Sequence, residues 1–224
     1  MIENNKVTIC GKLITDPVLS HELYGEKFYE ATLEVERQSG FSDKLNITIS
    51  ERLIQDYDFR KGFILNAKGQ YRSYNKQVNG KSKLMLTIFV TEILDSTNYT
   101  NVNKVELTGY ICKKPVYRKS PLGREIADIL IAVNRNYNKS DYIPCITWGR
   151  NAKFAGNLTV GQKINLQGRI QSREYKKTVD DDVKTLTAFE VSVSKIEEID
   201  EFDIDFSVDL NEDLDEELDV WRKS

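Results

Sequence analysis

The sequence predicts an all-β protein made of two tandem five-stranded barrels followed by an acidic disordered tail. Three observations carry this expectation. The chain repeats itself at a spacing near 98 residues, each copy alternates apolar and polar residues with period two, and almost all charge in the last 28 residues is acidic.

The repeat is explicit. Shifted by 98, Asn5-Lys6-Val7 falls on Asn103-Lys104-Val105, Gly11 on Gly109, Pro17 on Pro115, Gly25 on Gly123, Val35 on Val133 and Arg37 on Arg135. Shifted by 99, Gly62 falls on Gly161, Asn66 on Asn165 and Gly69 on Gly168. A unit of about 95 residues suits an independent small domain better than a solenoid repeat. The expected divisions are a first domain over 1–97, a second over 103–198 and a tail over 199–224, with the junction in the Ser/Thr/Asn cluster between Asp95 and Asn101.

Within each unit the strands follow from alternation. Val7, Ile9, Gly11 and Leu13 open the first, as Val105, Leu107, Gly109 and Ile111 open the second. Further strands are expected at 28–36, 44–50, 62–74 and 83–94, and again at 126–135, 142–148, 161–175 and 184–198. A short polar segment between the third and fourth strands, Glu51 to Tyr57 and Gly149 to Ala155, reads as helix. Five strands with a helical insert after the third describe an OB-fold barrel, an architecture used to bind oligonucleotides and oligosaccharides.

Composition narrows the function class. The longest apolar run, Ile129 to Val133, is far below the roughly 20 residues of a membrane span. With no cationic leader ahead of an apolar stretch, a cytoplasmic location without a membrane partner is expected. Cys10, Cys112 and Cys145 lack metal-ligand spacing, and His21 is the only histidine. No catalytic residue, metal or cofactor is expected. A nuclease built on Asp180-Asp181-Asp182 is rejected, because those residues read as a loop tip before the last strand.

The net charge of −3 conceals a split, since residues 197–224 carry 13 acids and two bases. Residues 1–102 carry 13 of each sign, whereas residues 103–196 carry 17 bases and nine acids. A basic body is the footprint of a polyanion binder.

The fourth strand of each unit suggests where that binding occurs. In the second unit Ile164, Leu166, Gly168 and Ile170 face one way, and Asn165, Gln167, Arg169, Gln171, Arg173 and Tyr175 the other. The first unit repeats this, with Lys68, Arg72 and Tyr74 among its outward residues. Cations reach phosphates, amides reach phosphates or base edges, and aromatic rings stack on unpaired bases. Tyr142 and Trp148 add to one face of the third strand, Arg135 and Tyr137 lie at the end of the second, and Arg150 follows the third. In the first unit the positions matching Tyr142 and Trp148 are Lys44 and Ser50, so that barrel is expected to be auxiliary.

At this point the residues resemble the bacterial single-stranded DNA-binding protein family, in a tandem OB-fold form. The resemblance rests on the Val-x-Leu-x-Gly opening strand, Ile131-Ala-Val-Asn-Arg135, Cys145-Ile-Thr-Trp-Gly-Arg150, and Gly168-Arg-Ile-Gln-Ser-Arg173 followed by Tyr175. It covers about 103–197 strongly and 5–94 weakly. It implies sequence-nonspecific single-stranded DNA binding in replication, recombination or repair, with Tyr137, Tyr142, Trp148 and Tyr175 at the family's stacking positions. It also implies a homodimer presenting four OB folds. An OB-fold adaptor or structural protein that binds protein partners or RNA, with vestigial DNA binding, is the alternative.

The stretch from Glu197 to Asp219 contains no base and reads as a solvated tail. The resemblance implies that it docks replication or repair proteins, although it ends Leu218-Asp-Val-Trp-Arg-Lys-Ser224 where family tails end in Ile-Pro-Phe. Phe202, Phe206, Leu210, Leu214 and Leu218 recur every four residues. Leu214, Leu218 and Trp221 fall close to one face of a helix and are the expected partner-binding residues.

Overall fold

The computed structural model describes residues 4–78, 80–94, 101–120, 122–136, 138–179 and 182–199. The residues expected to form the tail's docking face, Leu214, Leu218 and Trp221, lie outside these, as does Tyr137.

The first half contains β1 (Asn5–Leu13), β2 (Val18–Leu23), β3 (Glu26–Glu36), β4 (Ser42–Ser50), α1 (Glu51–Ile54), β5 (Ile64–Val78) and β6 (Lys81–Ile93). The second repeats the order with β7 (Asn103–Ile111), β8 (Val116–Lys119), β9 (Glu125–Arg135), β10 (Lys139–Trp148), α2 (Arg150–Ala155), β11 (Lys163–Val179) and β12 (Asp182–Glu198). Each half closes into a barrel. β1 pairs with β3 and β5, β3 with β4, β4 in parallel with β6, and β6 with β5. The second half closes the same way through β7, β9, β10, β12 and β11.

Five strands close each barrel as expected, and each half adds a short sixth strand, β2 or β8, that was not anticipated. Both are edge strands. Every residue of β2 is exposed and β8 buries none of its four residues, so neither has the apolar alternation that a core-facing strand requires. Both helices are present, although α1 stops at Ile54 rather than Tyr57.

The repeated glycines mark where the barrel backbones nearly touch. A Cβ at Gly69 would lie 2.4 Å from Phe89 O, and at Gly168 2.3 Å from Ser192 O; Gly11 and Gly109 meet the same obstacle 2.5 Å from Glu34 O and Ala132 O. Any side chain there would force the paired strands apart.

The two barrels share a sheet. β1 and β7 pair antiparallel with Val7 opposite Val105, which are themselves matched repeat positions. The pairing therefore has a pseudo-two-fold centre at those valines and joins all 12 strands into one sheet. β1 lies between β5 and β7, its backbone pairing with β5 ends at Val7 opposite Gly69, and the Asn5 side chain supplies the next rung. Asn5 Nδ2 donates to Tyr71 O at 2.8 Å, and Tyr71 N–H donates to Asn5 Oδ1 at 2.8 Å. Asn103 does the same for Ile170 at 2.7 and 2.9 Å. Buried backbone groups need such partners, which gives the repeated Asn-Lys-Val its structural reason.

Past these rungs the long hairpin of each barrel lies against the other barrel. Ser73 N–H on β5 donates to Asp141 Oδ1 on β10 at 2.7 Å, and Ser172 N–H on β11 donates to Asp43 Oδ1 on β4 at 2.8 Å. The hydroxyl of each serine returns a bond, accepting from Tyr142 N–H at 2.8 Å and from Lys44 N–H at 3.0 Å. The apolar interior runs through both barrels as one cluster. All three cysteines are buried and unbridged. No helix among the described residues is long and apolar enough to cross a membrane.

Candidate nucleic-acid interface

Strand alternation places Ile143 and Cys145 of β10 in the core and aims Tyr142 and Trp148 to the outside. Trp148 stands opposite Ile126 on β9, and Ile126 opposite Arg118 on β8, so the three form one transverse row. Trp148 is 39% exposed and is followed by exposed Arg150 at the start of α2. Arg118 was not anticipated, because its strand carries no periodic signal. Here it donates to Asp128 at 2.8 Å.

The second group of expected residues lies along β11. Arg173 sits with its guanidinium carbon 6.0 Å from the Tyr175 ring centroid, and both residues are half-buried. Trp148 is six residues along β10 from Tyr142, about 20 Å at strand rise. The rings expected to stack thus stand at both ends of the outer face rather than in one cluster.

Several of the cations expected to meet DNA are held by carboxylates from other elements. Gln171, expected on the exposed row, is only 7% exposed; it donates to Glu190 Oε1 at 2.6 Å and accepts from Arg169 at 3.0 Å. Glu190 lies directly opposite it on β12. Arg173 Nε is 3.8 Å from the same carboxylate. Arg169 reaches across the barrels to Asp43 Oδ2 at 3.3 Å, where Arg37 also binds. Arg135 Nε lies 3.2 Å from Asp141. Tyr142 and Leu84, the latter from the hairpin of the first barrel, both pack against the cluster of Cys112, Leu130 and Ala132. Gln171, Arg169, Arg135 and Tyr142 therefore have structural roles at the core and barrel interface that their exposed strand parity did not suggest.

On the first barrel, Lys68 pairs with Glu92 at 3.0 Å, and Tyr74 donates to Glu30 Oε1 at 3.2 Å. Burial and Glu30 push the Tyr74 phenol up to about 12. Arg72 lies 3.7 Å over the ring of Phe89, Phe89 contacts Phe28 at 5.8 Å, and Phe28 stacks on His21 at 4.9 Å. This ladder was invisible in sequence, because its members come from β2, β3, β5 and β6. The position matching Trp148, Ser50, instead caps α1 and donates to Glu26.

Burial raises the Glu190 carboxyl above its ordinary value, against the opposing effects of Gln171 and Arg173. A raised folded-state value means that the native state binds protons more tightly than the unfolded chain. That contribution is present below the unfolded value and is lost as pH rises through the folded one. The gap in unfolding free energy between E190Q and the parent protein is therefore expected to shift in favour of E190Q from pH 4.5 upward. Urea denaturation at a series of pH values checks this, and a gap moving the other way would show Arg173 stabilising the anion.

Comparison with known proteins agrees with this architecture. Residues 102–199 match the single-strand binding protein family. Single-stranded DNA-binding protein 2 of Listeria innocua serovar 6a is 33% identical over 103 residues, covering 43% of this chain and 63% of the relative. Single-stranded DNA-binding protein A of Bacillus subtilis is 35% identical over 82 residues, covering 34% of this chain and 48% of the relative. The chain thus spans less than two thirds of either relative's length. The wild-type single-stranded DNA binding protein from Thermus aquaticus superposes with a TM-score of 0.64 over 91% of this chain and 96% of that one, at 19% identity, which shows a common fold. The second barrel is thus similar in sequence to the single-strand binding protein family, and the two tandem OB barrels share their fold with the Thermus aquaticus protein.

Proposed function

We propose that this chain binds single-stranded DNA without sequence preference and protects it during replication, recombination or repair, acting as a binding protein rather than an enzyme. The observation that carries the reading is the exposed ring of Trp148, in one row with Arg118 and followed by exposed Arg150, on the barrel that holds the family match. A base stacks on the indole while the Arg150 guanidinium meets a flanking phosphate. Tyr175 and Arg173 extend the track at the far end of the face. Tyr142, Arg135, Arg169 and Gln171 border it, the last three chiefly by holding its framework, and Tyr137, outside the described residues, is a further ring for stacking. The first barrel is auxiliary, through Lys68, Arg72 and Tyr74.

A homodimer would present four barrels, and Leu214, Leu218 and Trp221 would engage replication or repair proteins in the cytoplasm.

The chain has two tryptophans, so in Trp221→Phe protein Trp148 is the sole indole reporter. Titration with oligo-dT is expected to quench its fluorescence, with an affinity that falls as salt rises through counterion release. Tight binding without quenching would remove Trp148 from the interface. Absence of binding at low salt would favour the protein-binding adaptor, and tighter binding of oligo-rU would reassign the ligand to RNA.

A further inference from the structure

We propose that the two open edges of the sheet pair with each other between copies of this chain, β2 of one copy joining β8 of the next in a head-to-tail row. β2 and β8 stand at opposite ends of the strand order, so among the described residues each has one edge that carries no strand. An open edge offers backbone donors and acceptors to another extended segment. Val18, Leu19 and Leu23 of β2 are exposed, as are Tyr117 of β8 and Leu122 shortly after it. Edges that remain in water are ordinarily guarded by charge and short of apolar surface. These side chains suit a covered edge.

Charge selects the partner. The two edges occupy matched repeat positions, since a shift of 98 lays Pro17-Val18 on Pro115-Val116. Their charges have nonetheless diverged to opposite signs. Residues 15–26 hold three acids and no Lys or Arg, whereas the matched residues 113–124 hold five Lys or Arg and no acid. Asp16 falls on Lys114, and Glu26 on Arg124. Two β2 edges side by side would oppose acid to acid, and two β8 edges base to base. Repulsion thus disfavours both like pairings, and attraction favours β2 against β8. The chain itself supplies a precedent for the geometry: β1 and β7, also matched strands, pair antiparallel with Val7 opposite Val105.

The contact is short. β8 has four residues, and Pro17 and Pro115, which lack an N–H, stand directly before β2 and β8. A register shift between Leu19 and His21 limits the regular part of β2 further. A ladder this brief depends on its charges, so the association is reversible and weakens as salt screens them. Pairing two different edges does not close on itself, so copies add in a row. That row is separate from the closed homodimer proposed above and requires no DNA.

Thiol cross-linking of the full chain without DNA tests this, using Leu19→Cys and Tyr117→Cys variants and a short bismaleimide; the native cysteines are buried. A mixture of the two single variants at low salt is expected to give at least about tenfold more cross-linked dimer than either variant alone, because only unlike edges attract. A chain carrying both cysteines should give a ladder that continues past the dimer. Adding Lys114→Glu and Lys119→Glu to that chain, or raising salt to about 0.5 M, should cut the ladder about tenfold. Sedimentation of the unaltered chain at low salt needs no substitution and should show a mean mass that rises past the dimer with concentration. Four results would each overturn the proposal: no product in the mixture, equal product in one variant alone, a ladder or mass that stops at the dimer, and a ladder indifferent to both charge reversal and salt.

Discussion

Replacing Asp43 with alanine is expected to lower the unfolding free energy by about 3–5 kcal/mol, the usual cost of stranding the partners of a buried charge. The Asp43 side chain is fully buried and serves three groups from two barrels. It binds Arg37 through both oxygens, accepts from Arg169 at 3.3 Å and accepts from Ser172 N–H at 2.8 Å. Alanine would leave two guanidiniums and a backbone donor facing an apolar methyl. Urea denaturation at pH 7 measures the loss, and a value below about 1 kcal/mol would show that the cluster behaves as a solvated surface pair. Asp141→Ala should cost less. Its carboxylate meets Ser73 N–H and Arg135, its pKa is raised by burial, and the position matching Arg169 is Gln70, which leaves Arg72 of the first barrel acting on it through charge.

The double substitution Trp148→Ala, Tyr175→Ala is expected to weaken oligo-dT binding by about 2–6 kcal/mol, roughly 30-fold to more than 10⁴-fold, from about 1–3 kcal/mol for each lost stack. The two rings lie near opposite ends of the face, so their contributions should be close to additive. Fluorescence anisotropy of a labelled oligonucleotide at fixed salt reads the loss. Trp148 is substantially exposed and Tyr175 half-buried, so the thermal midpoint should change little and separates lost contacts from lost fold. Binding within about threefold of the unaltered protein would place the DNA elsewhere.

The glycines, the Asn-Lys-Val repeats and the aromatic of β10 were all legible from sequence. Gly69 and Gly168 recur because a Cβ would collide with the paired strand, and Asn5 and Asn103 recur because each completes a backbone rung. β2 and β8 were not legible, since a strand with no face on the core carries no alternation. The outward rows of β5 and β11 were assigned to the correct side, but they were judged for acids along their own strands alone. Glu190 enters from β12 and Asp43 from the other barrel, 126 residues from Arg169, so the apparently free cations of β11 are largely neutralised.

By itself, therefore, the sequence determined the duplicated all-β architecture, the strand faces and the concentration of bases in the second barrel, because period and composition are properties of neighbouring residues. Only the tertiary structure decided which of those bases stay exposed and which are paired with carboxylates. That depends on strand register and on the pseudo-two-fold pairing at Val7 and Val105, which bring carboxylates from distant positions against Arg37, Arg135, Arg169 and Arg173 and leave Trp148 exposed beside Arg150.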